Sequence, residues 1–530
     1  MKPKISAESD TRGIRLLKQG RRGLWRAVFS RAGLITLFLL LQFALLLLVL
    51  YGTLQDFMPH YYSFSLIFTG IMGLLLINSH HESNAKLTWM LVILLLPVFG
   101  GLMYLYTQSD LGHRILRDRY SAVSRSTRDS LPQAVDTLVR MSDEAPEMQG
   151  LARYVNRSGC FPVYDETRAR YFPLGDALFP VLLEELEKAE KFIFLEFFIV
   201  DEGEMWGRIL EILARKAAQG VDVRLLYDGT NEFFTLPRDY PQRLKKLGIQ
   251  AKAFAPVMPF VSTHYNYRDH RKILVIDGKT AFTGGVNLAD EYINRVRRFG
   301  HWKDTALMLQ GEAARSFTLL FLQMWHLEDG RIEERALLET PAPRHPESGG
   351  FVLPYADCPL DRERVGEWVY LDILNRARKY VHIMTPYLIL DGEMETALKF
   401  AAERGVDVRL ILPGIPDKRL PYALAKTHYR SLLESGVRIY EYTPGFVHAK
   451  VFVSDDREGT VGTINLDYRS LYHHFECGAY RHHTACIREI EADFLATQEQ
   501  CRTVTPDTLR REKLRVKLEG ALMKVLAPLL

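Results

Sequence analysis

The chain has 530 residues, 47% of them hydrophobic and 25% charged, with a net charge of +4 at pH 7. At this length and composition it folds into about three domains, and global disorder and collagen-like structure are excluded. Five scattered cysteines give an odd count and no disulfide framework.

The positive charge is concentrated at the start. Residues 1–31 carry nine Lys/Arg against two Asp/Glu, a local balance of +7, which leaves about −3 for the remainder. A nucleic-acid-binding protein carries its positive charge on the working domain. A basic arm just ahead of an apolar run points instead to a membrane surface, so lipid is the expected partner and nucleic acid is not. Residues 32–107 then hold three apolar stretches, at about 33–51, 61–77 and 87–106. Crossing the hydrocarbon takes about 20 apolar residues. The first and third qualify; the second is shorter and contains Ser, Thr and Gly. Tyr51-Gly52-Thr53-Leu54 offers no small-x-small cleavage site, so these segments read as uncleaved anchors. Basic residues flank them on both sides, in the arm and again at His113, Arg114, Arg117, Arg119, Arg125 and Arg128. That asks for an even number of crossings, with the second segment in the interface or re-entrant and both flanks cytoplasmic.

A linker, 108–150, leads to two similar halves, 151–330 and 351–505, joined by a second linker, 331–350, rich in Pro, Gly and charge. The first half contains Lys191-Phe-Ile-Phe-Leu195, a helical stretch and Gly220-Val-Asp-Val-Arg-Leu-Leu226. The second contains Lys379-Tyr-Val-His-Ile383, a helical stretch and Gly405-Val-Asp-Val-Arg-Leu-Ile411. Each reads as strand, helix, strand, which predicts an α/β fold of two pseudo-symmetric α-β-α domains with mainly parallel sheets. The end of the chain, 506–530, places Leu514, Leu518, Leu522, Val525 and Leu526 on one stripe among Lys513, Arg515, Lys517 and Lys524. That is the pattern of an amphipathic helix at a bilayer surface.

The chemistry sits in a doubled motif. His270-Arg-Lys272, Asp277, Gly284-Gly285 and Asn287 recur at the same intervals as His448-Ala-Lys450, Asp455, Gly462-Thr463 and Asn465. On a strand, residues i and i+2 face one side, so His and Lys of each copy point into one site. The glycines stand where side chains would crowd a bound anion, and Asn287 and Asn465 can donate to phosphate oxygens. Two copies together suit in-line displacement at a phosphodiester. One imidazole attacks phosphorus and the other protonates the departing alkoxide, while the lysines offset charge on the non-bridging oxygens. The lysines supply positive charge, so neither metal nor other cofactor is required. A nucleophilic His needs its second nitrogen held; Asp304 is expected to orient His270, and Glu476 to orient His448. Asp277 and Asp455 belong to the catalytic motif and read as its structural anchors. Residues 473–486 add His473, His474, Cys477, His482, His483 and Cys486, ligand types for zinc that read here as a strand, a loop and a helix start.

On these motifs the sequence resembles the phospholipase D superfamily, and within it the bacterial cardiolipin synthase branch. Asn84-Ala-Lys-Leu-Thr-Trp89, Leu96-Pro-Val-Phe-Gly-Gly101, Gly284-Gly-Val-Asn-Leu-Ala-Asp-Glu-Tyr292, Trp302-Lys-Asp304, Thr385-Pro-Tyr387, Pro413-Gly-Ile-Pro-Asp417 and Asn465-Leu-Asp-Tyr-Arg-Ser470 carry that resemblance. It implies a multi-pass protein of the bacterial plasma membrane that joins two phosphatidylglycerol molecules into cardiolipin and releases glycerol. It also implies a phosphohistidine intermediate, with His270 as nucleophile and His448 as general acid and base. The same site would serve a phosphodiester hydrolase or a nuclease of the superfamily. One local departure is His473-His474 before Phe475-Glu476, where the family has an apolar residue or Asn.

Overall fold

The computed structural model describes residues 58–79, 81–108, 111–256, 267–361 and 363–529. The basic arm and the first apolar stretch lie outside the described residues. Residues 117–256 and 267–521 form one compact unit, and 58–116 with 522–529 form a second.

The larger unit is built on two sheets of matching topology. The first has seven strands: β1 (Arg168–Phe172), β2 (Phe192–Phe197), β3 (Asp222–Asp228), β4 (Gln250–Phe254), β5 (Lys272–Ile276), β6 (Thr280–Gly284) and β7 (Ala306–Gln310). Their order in space is β1-β7-β6-β5-β2-β3-β4. The second contains β8 (Phe351–Asp357), β9 (Tyr380–Met384), β10 (Asp407–Pro413), β11 (Arg438–Tyr442), β12 (Val451–Ser454), β13 (Glu458–Gly462), β14 (His474–His482) and β15 (Cys501–Thr503). It runs β8-β14-β13-β12-β9-β10-β11-β15, the same order with one strand added at the edge. Strands β2, β5, β6, β9, β12 and β13 are buried along their whole length or nearly so, and β2, β5 and β12 accordingly read as largely apolar runs. The helices Glu204–Ala218 and Gly392–Glu403 make the crossovers, and Gly220 and Gly405, at φ +91° and +96°, close them.

The sheets are mixed and not mainly parallel. Parallel pairing is confined to β2–β3–β4 and β9–β10–β11. The motif strands β5 and β12 lie antiparallel to β2 and β9, and a short left-handed reversal turns each back, antiparallel again, into β6 and β13. The stretch 108–150 is not bare linker. It contains the helices Leu111–Ser126, Val135–Glu144 and most of the turn into Gln149–Gly159.

Two short parallel pairings cross between the halves. Arg268–Asp269 pairs with His474–Phe475 at the start of β14, and His301–Lys303 pairs with Gly445–Val447. Each half thus lends the segment before its motif histidine to the segment before the other half's carboxylate.

In the second unit, α1 (Met58–Ile77), α2 (Ser83–Leu95) and α3 (Pro97–Gln108) pack around Met72, Leu76, Ile93 and Tyr104. The third apolar stretch, expected as one spanning helix, is broken. Leu96 precedes Pro97, which disfavours helical backbone, and it sits at φ −135°, ψ 72°. A side chain on Gly100 would meet Ile93 Cα at 2.9 Å, so α3 doubles back on α2. The second stretch, expected to lie in the interface or be re-entrant, is the unbroken 20-residue α1. Among the described residues no helix is long and apolar enough to cross a membrane.

Candidate active site

The crossed pairings decide which side chains meet. Backbone hydrogen bonds from His270 N to Phe475 O (3.0 Å) and from His448 N to Lys303 O (2.7 Å) continue each short ladder up to the motif histidine. Glu476 lies one residue beyond Phe475, and Asp304 one beyond Lys303. His270 Nδ1 therefore bonds Glu476 Oε1 at 2.8 Å, and His448 Nδ1 bonds Asp304 Oδ2 at 2.7 Å. The pairing expected within each half, Asp304 with His270 and Glu476 with His448, is overturned: each carboxylate serves the other half's histidine. All four side chains are buried. With Nδ1 engaged in both rings, Nε2 is the nitrogen left for chemistry.

Lys272 and Lys450 open β5 and precede β12, and each turns its ammonium back to the carbonyl of its own histidine. Lys450 Nζ also lies 2.9 Å from His448 Nδ1. Burial pushes the lysines down, Lys272 to about 8 and Lys450 to about 7. Burial, reinforced by the neighbouring lysines, pushes His448 down to about 4 and His270 well below its ordinary value. Each histidine also feels the other half's lysine, so the two motifs share one electrostatic environment. The carboxylates differ. Burial opposes ionisation of Asp304, but His448, Lys450 and the Thr305 N–H outweigh it and hold the group below the usual range. Glu476 is pushed well above that range by burial, against the pull of Lys272 and the Thr463 hydroxyl.

Asp277 and Asp455 leave the catalytic set. They sit at the far ends of the motif strands, roughly 23 Å along the chain from each histidine. Asp277 accepts the backbone N–H groups of Glu190, Lys191 and Phe192, and Asp455 those of Arg378, Lys379 and Tyr380. Both hold left-handed backbone, φ +53° and +55°. They clamp the motif reversal onto the start of β2 and of β9.

The glycines answer to protein groups. A Cβ on Gly285 would fall 1.9 Å from Asp304 Oδ1, and one on Gly462 would fall 2.5 Å from Cys477 O. Thr463, at the place of Gly285, instead gives its hydroxyl to Glu476 Oε2. Asn287 accepts from Ile199 N (3.0 Å) and donates to Tyr292 Oη (2.7 Å), while Asn465 donates toward Asp467 and its own Oδ1 has no hydrogen-bond partner.

Aromatic rings that the motif did not announce complete the lining. Phe198 stands edge-on to His270 at 4.9 Å, and Tyr292 to His448 at 5.5 Å. Phe198 ends the apolar run of β2, and Tyr292 and Trp302 belong to stretches already prominent in the sequence. His474 lies 5.3 Å from His270.

Three groups of the described residues bring metal-ligand types together: His270, His474 and Glu476; Glu147, His482 and His483; and Glu367, Asp391 and Glu393. Each already holds a protein cation: Lys272 acts on the first, Arg457 bonds Glu147, and Arg364 bridges Glu367 and Glu393. The histidines and cysteines of 473–486 form no single cluster, because β14 carries them to opposite ends.

Residues 182–325 and 370–497 match the family described as cardiolipin synthase, PLD-like domain, and residues 66–107 match the phospholipase D-nuclease N-terminal family. A protein of Streptococcus mutans described as uncharacterized is 55% identical over 86% of this chain and 99% of its own length. The cardiolipin synthase of Alkalihalophilus pseudofirmus is 32% identical over 92% of this chain and 98% of its own. That of Geobacillus kaustophilus is 34% identical over 86% and 91%. Among solved structures, the phosphatidylserine synthase of Haemophilus influenzae shares the fold, at 17% identity and a TM-score of 0.55 over 72% of this chain and 98% of that one. The doubled motif, the crossed histidine–carboxylate pairs and these relatives together make the chain a member of the cardiolipin synthase branch of the phospholipase D superfamily, a branch of phosphatidyltransferases.

Proposed function

We propose that this chain transfers a phosphatidyl group from one phosphatidylglycerol to another, forming cardiolipin and glycerol. The observation that carries this reading is the pair of buried imidazoles, each held at Nδ1 by a carboxylate and each with Nε2 free. His270 Nε2 attacks phosphorus, the bond from phosphorus to the glycerol oxygen breaks, and His448 passes a proton from Nε2 to that oxygen. The bound phosphodiester brings negative charge beside His448, which raises its proton affinity from the low resting value. In the second half-reaction His448 removes the proton from a hydroxyl of the second phosphatidylglycerol. That oxygen attacks phosphorus, the P–N bond breaks and His270 is restored. Lys272, Lys450, Asn287 and Asn465 hold the non-bridging oxygens. No cofactor enters any step.

The work site is the bacterial plasma membrane, with the catalytic halves on the cytoplasmic side. Basic residues on both flanks of the apolar segments support that side. The outward leucines and isoleucines of α1 and α2, such as Leu66, Ile67, Leu74, Leu87 and Leu95, suit a lipid surround. So do Leu514, Leu518 and Leu522 on the helix Leu514–Leu526, exposed among basic residues.

The test is detergent-purified protein with phosphatidylglycerol alone, followed by mass spectrometry. Cardiolipin and glycerol in equal amounts, lost in His270→Ala and in His448→Ala, is the expected result. Phosphatidic acid in place of cardiolipin would make water the acceptor and the protein a hydrolase.

A further inference from the structure

The two halves place a ring nitrogen beside each carboxylate in the same way. Trp302 and His474 each stand two residues before the carboxylate and lie on the two crossed pairings. Trp302 Nε1 donates to Asp304 Oδ2 at 3.5 Å. His474 Nδ1 lies 3.6 Å from Glu476 Oε1, the oxygen that holds His270, and makes no hydrogen bond among the described residues. The His474 side chain is 9% exposed. Its other nitrogen, Nε2, is 3.3 Å from Arg469 Nε. A guanidinium can only donate, so Nε2 accepts and the ring proton sits on Nδ1, facing Glu476.

We propose that His474 is a positioning residue for the His270–Glu476 pair, an imidazole N–H that closes onto Glu476 when His270 carries the phosphatidyl group, in the place where the other half uses an indole N–H. This rests on the reading of His270 as the reacting group. Glu476 already accepts from His270 and Thr463. A phosphorylated imidazole keeps its Nδ1 proton and gains positive charge, which calls for a fully ionised carboxylate beside it. A third donor favours that ionised form. Burial, reinforced by Arg469, His473, Lys272 and Arg268 nearby, pushes His474 well below its ordinary value and keeps its ring neutral. It therefore serves as a donor dipole at neutral pH and not as a second cation. Glu476 itself faces Lys272, Thr463, Ser470 and Asp467.

The experiment compares His474→Phe, which keeps a ring and loses the N–H, with His474→Gln, which restores an N–H. For His474→Phe we expect kcat about tenfold lower at unchanged KM for phosphatidylglycerol, and an acidic limb of the pH–rate profile moved upward by about one unit. His474→Gln should return the limb toward its original position. An unmoved acidic limb in His474→Phe would overturn the proposal, as would a rate loss that His474→Gln repeats in full. Nitrogen-15 NMR of the histidine-labelled full-length protein reads the same assignment without turnover. His474 protonated at Nδ1 supports it, and protonation at Nε2 overturns it. If the unsubstituted protein makes no cardiolipin, the reading of the reaction fails while the NMR result still decides the role of His474.

Discussion

At the level of single residues, the crossed pairs change what each substitution should do. Glu476 backs His270 and Asp304 backs His448. A donor lipid with a p-nitrophenol leaving group needs no protonation on departure, so only the nucleophile's side of the site is then essential. With that donor, first-turnover release of p-nitrophenol should recover to within about tenfold of the unsubstituted rate in His448→Ala and Asp304→Asn. It should stay at least a hundredfold down in His270→Ala and Glu476→Gln. Recovery in Glu476→Gln with loss in Asp304→Asn would make His448 the nucleophile. The lysines give a second expectation. Their folded pKa values, about 8 and about 7, lie below the ordinary lysine value, so their charge is present at low pH and lost as pH rises through that window. The free-enzyme profile of kcat/KM should therefore fall on an alkaline limb between about pH 7 and 8, not near 10. The motif residues themselves were legible in the sequence, because a fixed spacing repeated twice is a local signal. Their partners were not: matching the halves position by position put each carboxylate with the histidine of its own half. The contact depends on which strands pair across the molecule, and no spacing records that.

Among the elements, the motif reversals depend on one acceptor each. Asp277→Ala or Asp455→Ala would leave three backbone N–H groups at the start of β2 or β9 without their carboxylate. We expect a loss of about 2–4 kcal/mol in urea unfolding for either, with the kcat of the surviving folded protein close to normal. A kcat collapse without destabilisation would return these residues to the chemistry. The βαβ crossovers and their closing glycines were readable from the sequence because helix and strand periods are local. The mixed sheet was misread, since a buried antiparallel strand such as β5 is as continuously apolar as a parallel one. The break at Leu96-Pro97 was also within reach. Hydropathy over 87–106 ignores backbone, and the proline together with Gly100 carried the information that it left out.

For the larger unit as a whole, Arg271 is the residue on which the halves converge. It is the variable position inside His270-Arg-Lys272, fully buried, and its counterpart in the second copy is Ala449. Its guanidinium donates to Glu476 O (3.2 Å) and Asp357 O (3.3 Å) in the second half and faces Glu196, 3.6 Å away, in the first. Arg271→Ala would leave Glu196 buried without its cation, at a cost of about 3–5 kcal/mol. Arg271→Ala with Glu196→Gln should recover a good part of that loss in the same unfolding measurement. If the double variant is no more stable than the single one, the two side chains are not coupled. The fold class and the division into two halves were visible in the sequence through the repeat, whereas this connection was hidden at a position that varies between the copies.

The exchange of short strands has an evolutionary consequence. Two identical chains trading these segments about a two-fold axis would build the same pair of histidine–carboxylate contacts. In such a dimer any mutation strikes both contacts at once, so the two chemical roles cannot be tuned apart. Carrying both copies in one polypeptide removes that constraint. Asp304 with Gly285 and Trp302 differs from Glu476 with Thr463 and His474. Each set adjusts one imidazole alone, so the two halves share a backbone arrangement while their side chains differ.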